Sequence, residues 1–172
     1  MKGLYMNYTD LQTGDEHSAS KSVLELLKAA LCSEWLAYYH YWWAYVSIQG
    51  PTASMLVTHL TEHAEEEKKH IEMLAERIRQ LGGYPIYDIG LLKEIAGCKY
   101  PEEETDNFAF CILLRQIADS EECAVNSYKN ILKHIVDDPV TEKLVQDILA
   151  VEEAHLFEMS QELHNSERLC TQ

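Results

Sequence analysis

Nowhere in this 172-residue chain does an uninterrupted apolar run approach the roughly 20 residues that a membrane-spanning helix needs. The N-terminal stretch, Met1 to Ser22, is polar and lacks the apolar centre of a secretory signal, so a cytoplasmic location is expected. No Cys-x-x-Cys pair occurs, and the five cysteines are an odd number, which fits a reducing compartment better than a disulfide framework. Basic residues are scarce. Fourteen Lys and Arg against 29 Asp and Glu leave a net charge of −15, which opposes a nucleic-acid backbone as partner and favours cations. With 47% hydrophobic residues the chain has enough apolar material for one domain with a sizeable core.

The apolar residues recur at three-and-four spacing, the signature of amphipathic helices, and predict an all-α chain. Residues 1–21 read as an N-terminal arm, 22–165 as a four-helix bundle and 166–172 as a C-terminal tail. Ser22-Val23-Leu24-Glu25 has the form of a capping box opening the first helix, which Gln49-Gly50-Pro51 stops. A second helix runs to Gly82-Gly83, followed by Pro85. One long connection, 84–106, holds a short helical piece around 91–96. The third helix spans about 106–136, and Asp138-Pro139 caps and opens the fourth. Two short joins and one long crossover between helices two and three are the connectivity of an antiparallel four-helix bundle of ferritin-like topology.

The apolar stripes of these helices carry charge. In the fourth helix Glu152 and His155 fall on the stripe of Leu144, Ile148, Val151, Met159 and Leu163. In the second, Glu67 and His70 share the stripe of Leu56, Leu60, Leu74 and Ile78. A lone Glu34 sits inward on the first helix and a lone Glu121 on the third. Burying such groups is costly unless something pairs with them. Residues three apart on a helix lie side by side, so each Glu-x-x-His presents an oxygen and a nitrogen together. Four carboxylates and two imidazoles facing one interior are a ligand set for two divalent metals.

The halves also repeat. Glu34 is followed by Ala37 and Tyr41, Glu121 by Ala124 and Tyr128, and each Glu precedes its Glu-x-x-His partner by 33 or 31 residues. Glu122 lacks these offsets, which selects Glu121. The alanines leave room beside the carboxylates, and Tyr41 and Tyr128 are expected to reach back toward Glu34 and Glu121 respectively. Glu65, Glu66, Glu153 and Glu158 read as solvated surface charges, and His63 as packed beside the ligands. His17, His40, His59, His134 and His164 carry no signal. Cys32 and Cys111 read as small buried hydrophobes.

On these residues the chain, over about 22–163, resembles the bacterioferritin branch of the ferritin-like superfamily, and more closely the Dps-like proteins (thioferritins). Members combine such a site with a cysteine pair, one in the crossover and one two residues beyond the helix-three Glu. Cys98 and Cys123 occupy those places and are expected to form a disulfide, leaving out Cys32, Cys111 and Cys170. Haem-binding bacterioferritins carry a Met just after the helix-two Glu; Lys68 stands there, which argues against haem. The resemblance implies a ferroxidase that takes two Fe(II) per subunit, with manganese or zinc as substitutes. It would oxidise them with hydrogen peroxide or dioxygen and store ferric iron in a homo-oligomeric cage of twelve, or alternatively 24, subunits. A second apolar stripe on helix one, Trp35, Tyr39, Trp42 and Val46, suits a subunit contact. The alternatives are a non-storage di-iron or di-manganese enzyme (a manganese catalase or a rubrerythrin-like peroxidase) and a metal-free bundle whose carboxylates pair only with the histidines.

Overall fold

The computed structural model describes residues 22–49, 53–101 and 110–166, and the arm, residues 167–172 and the start expected for helix three lie outside these. Four long helices, α1 (Val23–Ser47), α2 (Ala53–Gln80), α4 (Phe110–Leu132) and α5 (Pro139–Asn165), are joined by short links and one crossover. The crossover carries a 3₁₀ turn (Ile89–Leu91) and the short helix α3 (Leu92–Ile95). Among the described residues no helix is long and apolar enough to cross a membrane.

Local chemistry sets the helix ends. Ser22 Oγ accepts from the Glu25 amide while Glu25 accepts from the Ser22 amide, closing the capping box. α2 stops where Gly82 turns to a φ of +82°, a backbone conformation that a Cβ disfavours. The Gly82 amide then donates to Arg79 O and the Gly83 amide to Ile78 O, satisfying carbonyls the helix leaves open. α4 ends at Leu132 rather than near 136, because the chain must reach Asp137, which has a φ of +54°. Asp138 then caps α5 at the Thr141 amide and also receives two hydrogen bonds from Arg77 in the last turn of α2.

α1 packs most extensively on α2, and α4 on α5. The crossover is pinned to α1, where the Gly97 amide donates to Ala29 O and the Cys98 amide to Ser33 Oγ. Two apolar clusters fill the bundle. One gathers Leu56, Leu60, Leu113, Leu114, Ile117 and Met159, the other Leu27, Leu31, Leu74, Ile78, Ile131 and Ile148. Between them, on every long helix, lies a belt of buried charge. On the outer face of α1, Trp35, Tyr39, Trp42 and Val46 are 40–55% exposed.

Candidate metal centre

Glu34, Glu67, His70, Glu121, Glu152 and His155 meet in this belt, none more than 3% exposed. Their donor atoms form two overlapping groups, within each of which they lie no more than 4.8 Å apart: Glu34, Glu67, His70 and Glu152, and Glu67, Glu121, Glu152 and His155. Glu67 and Glu152 belong to both. His70 Nδ1 lies 2.9 Å from Glu152, 3.2 Å from Glu67 and 3.3 Å from Glu34. His155 Nδ1 lies 3.3 Å from Glu67 and 3.6 Å from Glu121. Glu122, its neighbour in sequence, is exposed.

The residues present fit a pair of cations. Glu67 Oε1, Glu121 Oε2, Glu152 Oε1 and His155 Nδ1 are buried without a hydrogen bond in acceptable geometry, although close to one another. Buried lone pairs facing each other are costly unless a cation stands between them. Without one, protons take that place. Burial raises the Glu34 carboxyl above its usual range, and the nearby Glu67 charge adds to this; burial likewise raises Glu152. For Glu67 burial acts upward too, but the close approach of Glu34, His155 and His70 outweighs it and holds the carboxyl low. Burial lowers both imidazoles, yet the surrounding carboxylates lift His70 to about 12 and His155 to about 11.

The tyrosines depart from expectation. Tyr41 donates to Glu121 Oε1 at 2.5 Å and Tyr128 to Glu34 Oε1 at 2.5 Å, each across the bundle rather than back along its own helix. Seven residues span about 10.5 Å of helix axis, too far for a side chain to return. Burial and the adjacent carboxylates hold both hydroxyls far above the usual phenol range, so they stay protonated donors.

Two acids read as solvated are also engaged. Glu66 Oε2 lies 2.6 Å from His155 Nε2, orienting the ring from its outer side, and Glu158 Oε2 lies 3.1 Å from His63 Nε2. Glu66 stands one residue before Glu67 and Glu158 three after His155, and spacing alone gives no reason to separate them from the truly surface pairs Glu65–Lys68 and Glu153–Lys129. His63 is packed as expected, stacked on His155 with ring centroids 3.9 Å apart.

Cys98 and Cys123 form a disulfide, with α-carbons 5.8 Å apart. A small cavity of about 10 Å³, enough for one water, is lined by Cys98, Ala37, Ala124, Glu34, Glu121 and Glu152 among others, so the disulfide lies beside the cluster. Cys32 is free and buried, and burial pushes its thiol up to about 11, which keeps it unreactive. Cys111, expected to be a packed hydrophobe, is instead disulfide-bonded.

Comparison with known proteins points one way. The ferritin-like domain family matches residues 24–169. A DNA protection during starvation protein of Pyrococcus furiosus is 31% identical over 140 residues, covering 78% of this chain and 73% of its own. A bacterioferritin of Desulfovibrio desulfuricans is 28% identical over 145 residues, covering 83% of this chain and 75% of its own. Among solved structures, the dodecameric thioferritin of Bacteroides fragilis, a bacterioferritin-related protein, superposes with a TM-score of 0.80 at 35% identity. That match covers 87% of this chain and 88% of the other.

Proposed function

Since this chain belongs to the ferritin-like domain family, we propose that it is a ferroxidase which oxidises Fe(II) in pairs and stores the ferric product inside a cage of its own copies. The observation that carries the reading is the overlap of the two donor groups in Glu67 and Glu152. Carboxylates common to both groups are what bridging two ions requires. Glu34 and His70 would complete one position, Glu121 and His155 the other. Glu66 holds the His155 ring, and Tyr41 and Tyr128 hold the terminal carboxylates.

Hydrogen peroxide is the proposed oxidant. Two Fe(II) give one electron each, the O–O bond breaks, two protons are taken up and two waters form. Supplying both electrons together avoids release of hydroxyl radical. The exposed aromatic face of α1 supports assembly, and by analogy with the thioferritin we take the cage to be a dodecamer. The net charge of −15 on each chain favours gathering Fe(II) over contact with nucleic acid, and the cytoplasm is the proposed location.

Anaerobic Fe(II) oxidation on adding peroxide, followed optically, tests the chemistry. About two Fe(II) consumed per peroxide is expected for a paired two-electron donor. A rate equal to buffer, or one that survives Glu67→Ala with Glu152→Ala, overturns it. Loading well beyond two irons per chain separates storage from a small-molecule enzyme with the same ligands.

A further inference from the structure

We infer that His59, His63 and Glu158 form a separate, solvent-facing site for a divalent transition-metal ion on the seam between α2 and α5. One nitrogen from each ring and one Glu158 oxygen lie within 4.8 Å of one another. Glu158 Oε2 is 3.1 Å from His63 Nε2 and 3.6 Å from His59 Nδ1. Donors bound to one ion at about 2.1 Å in tetrahedral geometry stand roughly 3.4 Å apart, so closure needs only small side-chain shifts. The two histidines are four residues apart on one helix, a spacing that places both rings on one face.

Hydrogen bonding turns His63 toward this role. The single Tyr41 hydroxyl proton is committed to Glu121, so the oxygen of Tyr41 accepts, and His63 Nδ1 at 3.1 Å is the donor. In the neutral ring Nε2 then carries a lone pair directed at a carboxylate oxygen. Two electron-rich atoms facing each other at that distance call for a proton or a metal ion between them. His63 is 2% exposed and held by its stack on His155, whereas the side chains of His59 and Glu158 are 40% and 45% exposed. The site is thus rigid on its inner side and open outside, leaving positions for water or a further ligand. Two imidazoles, one carboxylate and open positions suit Fe(II), Zn(II) or Mn(II) rather than Ca(II) or Mg(II). An ion held there is one imidazole away from the buried cluster. That it waits there as Fe(II) on its way to oxidation rests on the proposed ferroxidase reading; the site itself does not.

Zinc, which is redox-inert, separates the two. Crystals of the full-length protein soaked in zinc and measured for anomalous scattering at the zinc edge should show a peak between His59, His63 and Glu158, besides those in the buried cluster. The His59→Ala, Glu158→Gln double variant, altered only outside the buried core, should lose at least tenfold in occupancy at this position and keep the buried peaks. Filled buried positions with none at the seam overturn this inference, because a proton alone then bridges His63 and Glu158. A filled seam with an empty buried cluster overturns the ferroxidase reading and leaves this one standing. No peak in either place overturns both.

Discussion

Tyr41 on α1 donates a hydrogen bond to Glu121 on α4, eighty residues away, and Tyr128 on α4 returns the arrangement to Glu34 on α1. Each half of the chain therefore positions the terminal carboxylate of the other. A hydrogen-bonded outer partner of this kind is typically worth about 10- to 100-fold in metal affinity. Tyr41→Phe should accordingly weaken the position that contains Glu121, and Tyr128→Phe the one that contains Glu34. Zinc occupancies read separately at the two positions decide it; a loss at the same-helix Glu in either variant would refute the crossed assignment.

Glu121→Gln should weaken or empty at least one buried position, while Glu122→Gln, at an exposed neighbour, should bind metal like the parent protein. Equal metal content in the two variants, measured after identical loading, would show that the wrong carboxylate has been assigned.

Metal uptake should release protons and strengthen as pH rises. In the metal-free protein burial lowers His70 and His155, but the carboxylates around them raise both, to about 12 and about 11, so at neutral pH each ring holds a proton that an ion must displace. The free form is therefore favoured by acid and the bound form by base, across the whole range below about pH 11. Calorimetric zinc titration in buffers of different ionisation enthalpy should give a positive number of protons released per ion. Affinity that is flat between pH 6 and 8 would contradict the protonated cluster.

The disulfide closes a segment of 25 residues, for which chain-entropy arguments give about 3 to 4 kcal/mol of stabilisation. Cys98→Ser should lower the melting temperature under oxidising conditions, measured at one protein concentration. Thiol reductant should then affect the parent more than the variant. An unchanged melting temperature would mean that the hydrogen bonds from Gly97 and Cys98 to α1 already fix the crossover.

The sequence made the four helices legible because their caps are written in it: Ser22 with Glu25, Gly82-Gly83, and Asp138 before Pro139. It made the buried cluster's membership legible because a Glu or His on an apolar stripe is costly to explain otherwise, and the repeat singled out Glu121. What it did not carry was the register between helices. A stripe says which face of α1 holds Tyr41, not which residue of α4 stands opposite, so the tyrosine partners came out exchanged. Glu66 and Glu158 were hidden for a similar reason. Each flanks an inward position and becomes distinct from Glu65 or Glu153 only once His155 or His63 is seen to face it. His59 offered nothing until Glu158 arrived from another helix.

The α1–α2 hairpin brings Glu34, Glu67 and His70, the α4–α5 hairpin Glu121, Glu152 and His155, and each lends a single carboxylate to the other's donor group. Under the proposed reading an ion in either position is a clasp between the two hairpins. Losing the ion and parting the hairpins are then linked events, and bound metal resists unfolding in proportion to the logarithm of its concentration over its dissociation constant. A chain still emerging from synthesis, or one half opened by heat, has no complete place for a pair of irons. Oxidation of irons in pairs is thereby confined to the folded bundle.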